Sequence, residues 1–144
     1  MKEGLAVVDT NVVVSGVLTA ASASPTATIL DGMLAGRFRF LLSVELIAEY
    51  REVLLRPKIR ARHRLSESEG DVRLKEIAVN GVVLDVEPAA AGRRKRDDHI
   101  RSLFSAAPSA VLVTGDQELV DEMEKKARVL TPRAFAENLG DEEG

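Results

Sequence analysis

Apolar runs of strand length recur along the chain, at Leu5–Val8, Phe38–Leu42, Val82–Val86, Ala110–Val113 and Arg128–Thr131, with a helical stretch between each and the next. Nothing else in the sequence constrains the fold as much. Short, β-branched runs bounded by polar or turn residues suit strands buried on both faces, and strands that alternate with helices join in parallel through right-handed crossovers. The pattern predicts a parallel sheet covered by helices on both sides. In such a sheet all strand carboxyl ends lie along one rim, where ligands bind. Two of the runs end there in acids: Leu5–Val8 leads straight into Asp9-Thr10-Asn11, and Ala110–Val113 into Thr114-Gly115-Asp116. Asp9 taken alone reads as a cap of the next turn or helix as readily as a ligand. Its convergence with Asp116 on one rim is the stronger signal.

The helical stretches carry their own boundaries. Ser24-Pro25 marks a start and Gly36 a stop around Ala27, Ile29, Leu30, Met33 and Leu34, after a small-residue loop from Thr19. Ser43 starts a helix with Leu46, Ile47, Tyr50, Val53 and Leu54 on one side and Pro57 at its end; Ser66 starts another, with Glu67 and Glu69 in its first turn and Gly81 at its close. Asp97 and Asp98 lead a helix whose apolar side is Ile100, Leu103, Phe104 and Ala107, and Pro108 ends it. A further helix uses Leu119, Val120 and Met123, and Pro132 opens a last one ending near Leu139-Gly140. The segment from Arg56 through Lys58, Arg60, Arg62, His63 and Arg64 contains no acid, and Arg93-Arg94-Lys95-Arg96 forms a basic quartet. By itself a charge run is a solvated segment; beside a cleft it is a phosphate contact.

Helix register supplies two more acids. At about 100° per residue, Glu49 lies nearest the apolar stripe, beside Val53, while Glu45 and Glu52 sit toward solvent. Glu49 is then either a boundary residue with a wet head group or a side chain facing the rim. Asp97 shares its helix side with Ile100 and Phe104, and Asp98 is its solvent-side competitor. Carboxylates brought together repel one another unless protonated or bridged by a cation. The 144-residue chain has no cysteine and two histidines, so a metal here must be held by oxygen, which suits Mg²⁺ or Mn²⁺. Thr10, Asn11 and Thr114 are then candidate donors around the acids, each with an equally good reason to be a turn residue.

Composition and motifs exclude several classes. Hydrophobic residues at 45%, charged residues at 30% and a net charge of -3 describe a soluble globular chain without a global attraction to nucleic acid or anionic lipid. No signal-peptide core or membrane-length apolar span occurs, so the expected location is the cytoplasm. There is no P-loop, dinucleotide-binding glycine motif or nucleophile elbow, and His63 and His99 are the sole histidine bases for a serine triad. Asp9-Thr10-Asn11-Val12 is similar to the motif of aspartyl-phosphate phosphatases, which carry a second aspartate where Asn11 stands. Residues 1–140 read as one domain, followed by an acidic tail at 141–144 expected to be disordered.

The order and spacing of Val8-Asp9-Thr10-Asn11-Val12, Leu46 to Leu54 with Arg56-Pro57, Asp97-Asp98-His99-Ile100, Val113-Thr114-Gly115-Asp116 and Leu130 to Phe135 resemble a PIN domain over essentially the whole chain. The resemblance implies a three-layer α/β/α sandwich with a central, mainly parallel five-stranded sheet. It further implies a metal-dependent endoribonuclease that cuts single-stranded RNA, in a family many of whose members are toxins silenced by a small antitoxin. Asp9, Glu49, Asp97 and Asp116 would be its acidic quartet, with Asp9, Asp97 and Asp116 as direct or water-mediated ligands of Mg²⁺ or Mn²⁺. Glu49 would position water or act as a base, and Arg56, Lys58, Arg60, Arg94, Lys95 and Arg96 would hold RNA phosphates. Expected partners are single-stranded RNA, a small antitoxin protein and a second copy of the chain, with no membrane. Lys95-Arg96 stands where close relatives tend to carry an acid and a proline, and Arg101 where an apolar or small residue is commoner. The alternative to a nuclease is a catalytically weak PIN-like module that binds RNA or protein.

Overall fold

The computed structural model describes residues 5–19, 23–85 and 98–143. In chain order the elements are β1 (Leu5–Val8), α1 (Thr10–Leu18), α2 (Pro25–Ala35), β2 (Arg39–Leu42), α3 (Val44–Leu54), α4 (Pro57–His63) and α5 (Glu67–Asn80). They continue with β3 (Val82–Val83), α6 (Asp98–Ala106), β4 (Val111–Val113), α7 (Gln117–Met123), β5 (Arg128–Leu130) and α8 (Pro132–Glu143).

Short-range chemistry sets most helix starts. The Ser24 and Ser43 hydroxyls accept from the backbone N–H of Ala27 at 3.2 Å and of Leu46 at 3.1 Å, fixing the entries of α2 and α3. Ser66 and Glu69 form a reciprocal capping box at the start of α5. Gly36 ends α2 in the left-handed region at φ 67°, a conformation that costs glycine little.

Four elements depart from expectation. Val12–Leu18, whose valine-rich sequence carries no helix signal of its own, forms most of α1, because Val12, Val13 and Val14 are buried and packing outweighs their weak helix propensity. The basic connection after Arg56 is the helix α4, which buries none of its residues and so shows no apolar period. The third strand is cut to Val82–Val83, since Val83 is already exposed at the sheet edge. α8 runs on through Glu143 instead of stopping near Leu139-Gly140; Gly140 is tolerated inside a helix, and the acids after it do not block one. Val86 and residues 87–97, which include the basic quartet and Asp97, lie outside the described residues.

All strand pairs are parallel, in the order β3-β2-β1-β4-β5. β1 is central, and its Ala6, Val7 and Val8 are fully buried between helix layers. The chain steps from β1 outward to β2 and β3, then crosses back to β4 and β5 on the other side. With right-handed crossovers this reversal puts helices on both faces. α2 packs against α1, α5 and α8, α3 against α1 and α5, and Phe38 meets Phe135 of α8 edge-on with ring centroids 5.0 Å apart. The core contains Phe40, Phe135, Met33, Leu46 and Leu112, each fully buried and each worth roughly 1.5–3 kcal/mol of transfer free energy. The reversal of strand order falls between β1 and β4, which locates the crevice of an open α/β sheet at their carboxyl ends.

Candidate active site

Asp9 stands at that crevice. Its backbone N–H donates to the Val113 carbonyl at 3.0 Å, extending the β1–β4 ladder by one residue, and its carbonyl accepts from Val12 N–H at 3.0 Å to open α1. Asp9 is therefore the N-cap residue of α1 by backbone position, yet its carboxylate makes no capping hydrogen bond. Oδ2 instead accepts from the Thr114 hydroxyl across the strand gap at 2.8 Å, and the residue is 2% exposed. A buried carboxylate turned away from the helix N–H groups beside it is held for something other than capping.

Thr114 also orients the next acid. Its Oγ1 accepts from the Asp116 backbone N–H at 3.0 Å, so one hydroxyl joins the chain after β1 to the chain after β4. Asp116 Oδ1 accepts from Glu118 N–H at 3.0 Å and from Leu119 N–H at 3.4 Å, capping α7. The side-chain capping role open to Asp9 thus belongs to Asp116.

α3 brings Glu49 to the same rim from the side. Its apolar stripe buries Leu46, Tyr50 and Leu54, and Glu49, one residue before Tyr50, has a side chain only 18% exposed. The Thr10 hydroxyl donates to Glu49 Oε1, and Glu49 Oε2 lies 2.5 Å from His99 Nε2. Glu52 is paired instead with Arg56 at 3.3 Å on the exposed face, as the helix register predicts. Tyr50 turns its hydroxyl inward and donates to the Val8 carbonyl at 2.6 Å, immediately before Asp9. Its complete burial, and then the negative charges of Asp9 and Glu49, push its pKa well above the usual tyrosine value.

A cleft of about 480 Å³ opens beside these groups, lined by Asn11, Glu49, Glu52, Val53 and Arg56. Asn11 is exposed on its wall. Lys58 and Arg60 project from α4 into solvent, and Arg60 lines a neighbouring hollow of about 470 Å³ with Arg64, Ser66 and Glu69. Arg94, Lys95 and Arg96 lie outside the described residues, as does Asp97. The helix face predicted to carry Asp97 inward does face the core, since Ile100 and Phe104 of α6 are buried.

The donors present are carboxylate and hydroxyl oxygens, the set that hard divalent cations prefer, so the chemistry fits Mg²⁺ or Mn²⁺. Among the described residues no group of three His, Asp or Glu side chains forms a metal cluster by itself. Two contacts escape sequence reasoning. The contacts of His99 with Glu49 and of Tyr50 with the Val8 carbonyl join residues 50 and 42 positions apart. No local pattern encodes such pairs.

A family model described as PIN domain matches residues 6–118. No curated protein and no solved structure matches. The match takes in β1 through the start of α7, and with them Asp9, Glu49, Asp97 and Asp116. PIN domains are generally nucleases and typically use divalent metals. On its all-parallel sheet and this match, the chain belongs to the PIN domain family.

Proposed function

We propose that this protein is a Mg²⁺- or Mn²⁺-dependent endoribonuclease acting on single-stranded RNA, with its reaction at the β1–β4 rim. The observation that carries the reading is the orientation of the buried Asp9 carboxylate, which engages Thr114 rather than the N-terminus of α1. Asp9, Asp116 and Asp97 are the proposed oxygen ligands. When bound, a divalent ion polarises a phosphate oxygen and eases ionisation of water.

The protein's own groups supply the rest. Thr114 holds Asp9 and the backbone of Asp116 in one frame, so that a geometry fixed before substrate arrives serves the reaction. Glu49 orients the attacking water or takes its proton at a carboxylate oxygen, as the new oxygen–phosphorus bond forms and the bond to the leaving ribose oxygen breaks. Arg56, on the cleft wall beyond Glu49, is placed to meet a phosphate of the bound strand, with Lys58 and Arg60 farther along the same basic segment.

The test is incubation of purified protein with single-stranded RNA, with and without Mn²⁺. Metal-dependent cleavage that falls about 100-fold or more in Asp9→Asn and in Asp116→Asn is the expected result, since even residues behind metal ligands change activity by about 10–100-fold. Cleavage that persists in both variants rejects the site. RNA binding without cleavage rejects the enzyme and leaves a binding module.

A further inference from the structure

We propose that His99 is a positioning residue that holds Glu49 for the reaction, an inference that rests on the nuclease reading above. Glu49 is gripped at both ends: Oε1 accepts from the Thr10 hydroxyl, and Oε2 lies 2.5 Å from His99 Nε2. The two grips come from distant parts of the fold. Thr10 opens α1 directly after Asp9, and His99 lies in the first turn of α6, directly after the segment that carries Asp97.

His99 is 7% exposed, so its hydrogen bond to Glu49 is shielded from competing water. An ionised carboxylate can only accept, so Nε2 carries the proton, and it does so in the neutral Nε2–H form and in the imidazolium alike. Glutamate has three side-chain torsions, and a carboxylate at the edge of a wet cleft samples many of them unless held. With donors on both oxygens, the plane of the Glu49 carboxylate is fixed relative to Asp9 through Thr10 and relative to the start of α6 through His99. Glu49 thus serves as the strut between the β1 half of the site and the α6 half.

The test compares His99→Gln, which keeps an N–H near the position of Nε2, with His99→Leu, which keeps bulk and loses the donor. In the Mn²⁺-dependent cleavage assay kcat is expected to fall about 10–100-fold in His99→Leu, with KM for RNA unchanged, and to recover most of that loss in His99→Gln. Equal loss in both variants, or no loss in either, overturns the proposal. An independent readout is the imidazole nitrogen spectrum, which holds two sets of signals because the chain has two histidines. Glu49→Ala is expected to shift the His99 Nε2–H resonance and leave that of His63 in place, whether or not the protein is active; an unmoved His99 resonance overturns the contact itself. Wild-type protein that shows the coupling but cleaves no RNA with Mn²⁺ overturns the nuclease reading and the catalytic purpose of the strut with it, while the Glu49–His99 contact stands.

Discussion

At the scale of single residues, Tyr50 is the most informative reporter of the site. It is the sole tyrosine in a chain without tryptophan, so tyrosinate absorbance observes it alone. Burial, and then Asp9 and Glu49, raise its pKa in the folded state, so the folded protein keeps the proton that an unfolded tyrosine gives up near pH ~10. The sign follows: the contribution is intact below pH ~10, and above it stability falls by about 1.4 kcal/mol per pH unit until the folded pKa is reached. Tyrosinate absorbance is therefore expected to rise together with loss of helical circular dichroism, and Tyr50→Phe to flatten the alkaline stability slope. Reversible ionisation near pH 10 in folded protein would show that Tyr50 is not locked beneath the site. Asp9, Glu49 and Asp116 were legible as candidates because strand ends and helix register are local properties. The choice of Thr114 as the Asp9 partner was not, because it depends on β1 lying next to β4, residues separated by more than a hundred positions.

At the scale of elements, Gly16 sets how closely α1 and α2 can approach. A Cβ added at Gly16 would lie 2.7 Å from the Thr26 carbonyl oxygen and 2.8 Å from Leu30 Cβ, contacts with backbone and a side-chain root that cannot swing aside. Gly16→Ala is expected to cost about 1–3 kcal/mol in urea unfolding, despite alanine's better helix propensity, because the helices must separate. Unchanged or higher stability would mean that α1 and α2 can separate at little cost. Helices with caps and apolar stripes, α2 and α3 above all, could be read from sequence with correct starts. α1 and α4 could not, for opposite reasons: the apolar residues of α1 are β-branched, and α4 fully buries no residue, with only Ile59 packed against the core. β3 was read too long because valines at a sheet edge look the same in sequence as valines in a buried strand.

At the scale of the whole molecule, a net charge of -3 coexists with a basic segment, residues 56–64, beside the cleft. On the proposed nuclease reading, RNA affinity comes from local contacts and falls steeply with salt. Arg56→Ala is expected to reduce the slope of log affinity against log salt by about 0.7, the value for one phosphate contact on a single strand. A slope unchanged by the substitution would route the RNA elsewhere. The parallel sheet and its rim followed from the alternation of strands and helices, whereas the strand order that puts the crevice between β1 and β4 had no local signature.

The central claim, that the acids of this rim hold a divalent ion, is tested most directly by anomalous diffraction from crystals grown with Mn²⁺. The account predicts an anomalous peak at the β1–β4 rim, within direct or water-mediated reach of Asp9 and Asp116, at about 2.0–2.2 Å from any oxygen that binds it directly. No peak at that rim, or the four carboxylates of Asp9, Glu49, Asp97 and Asp116 spread over more than ~10 Å without a shared ion, would contradict it.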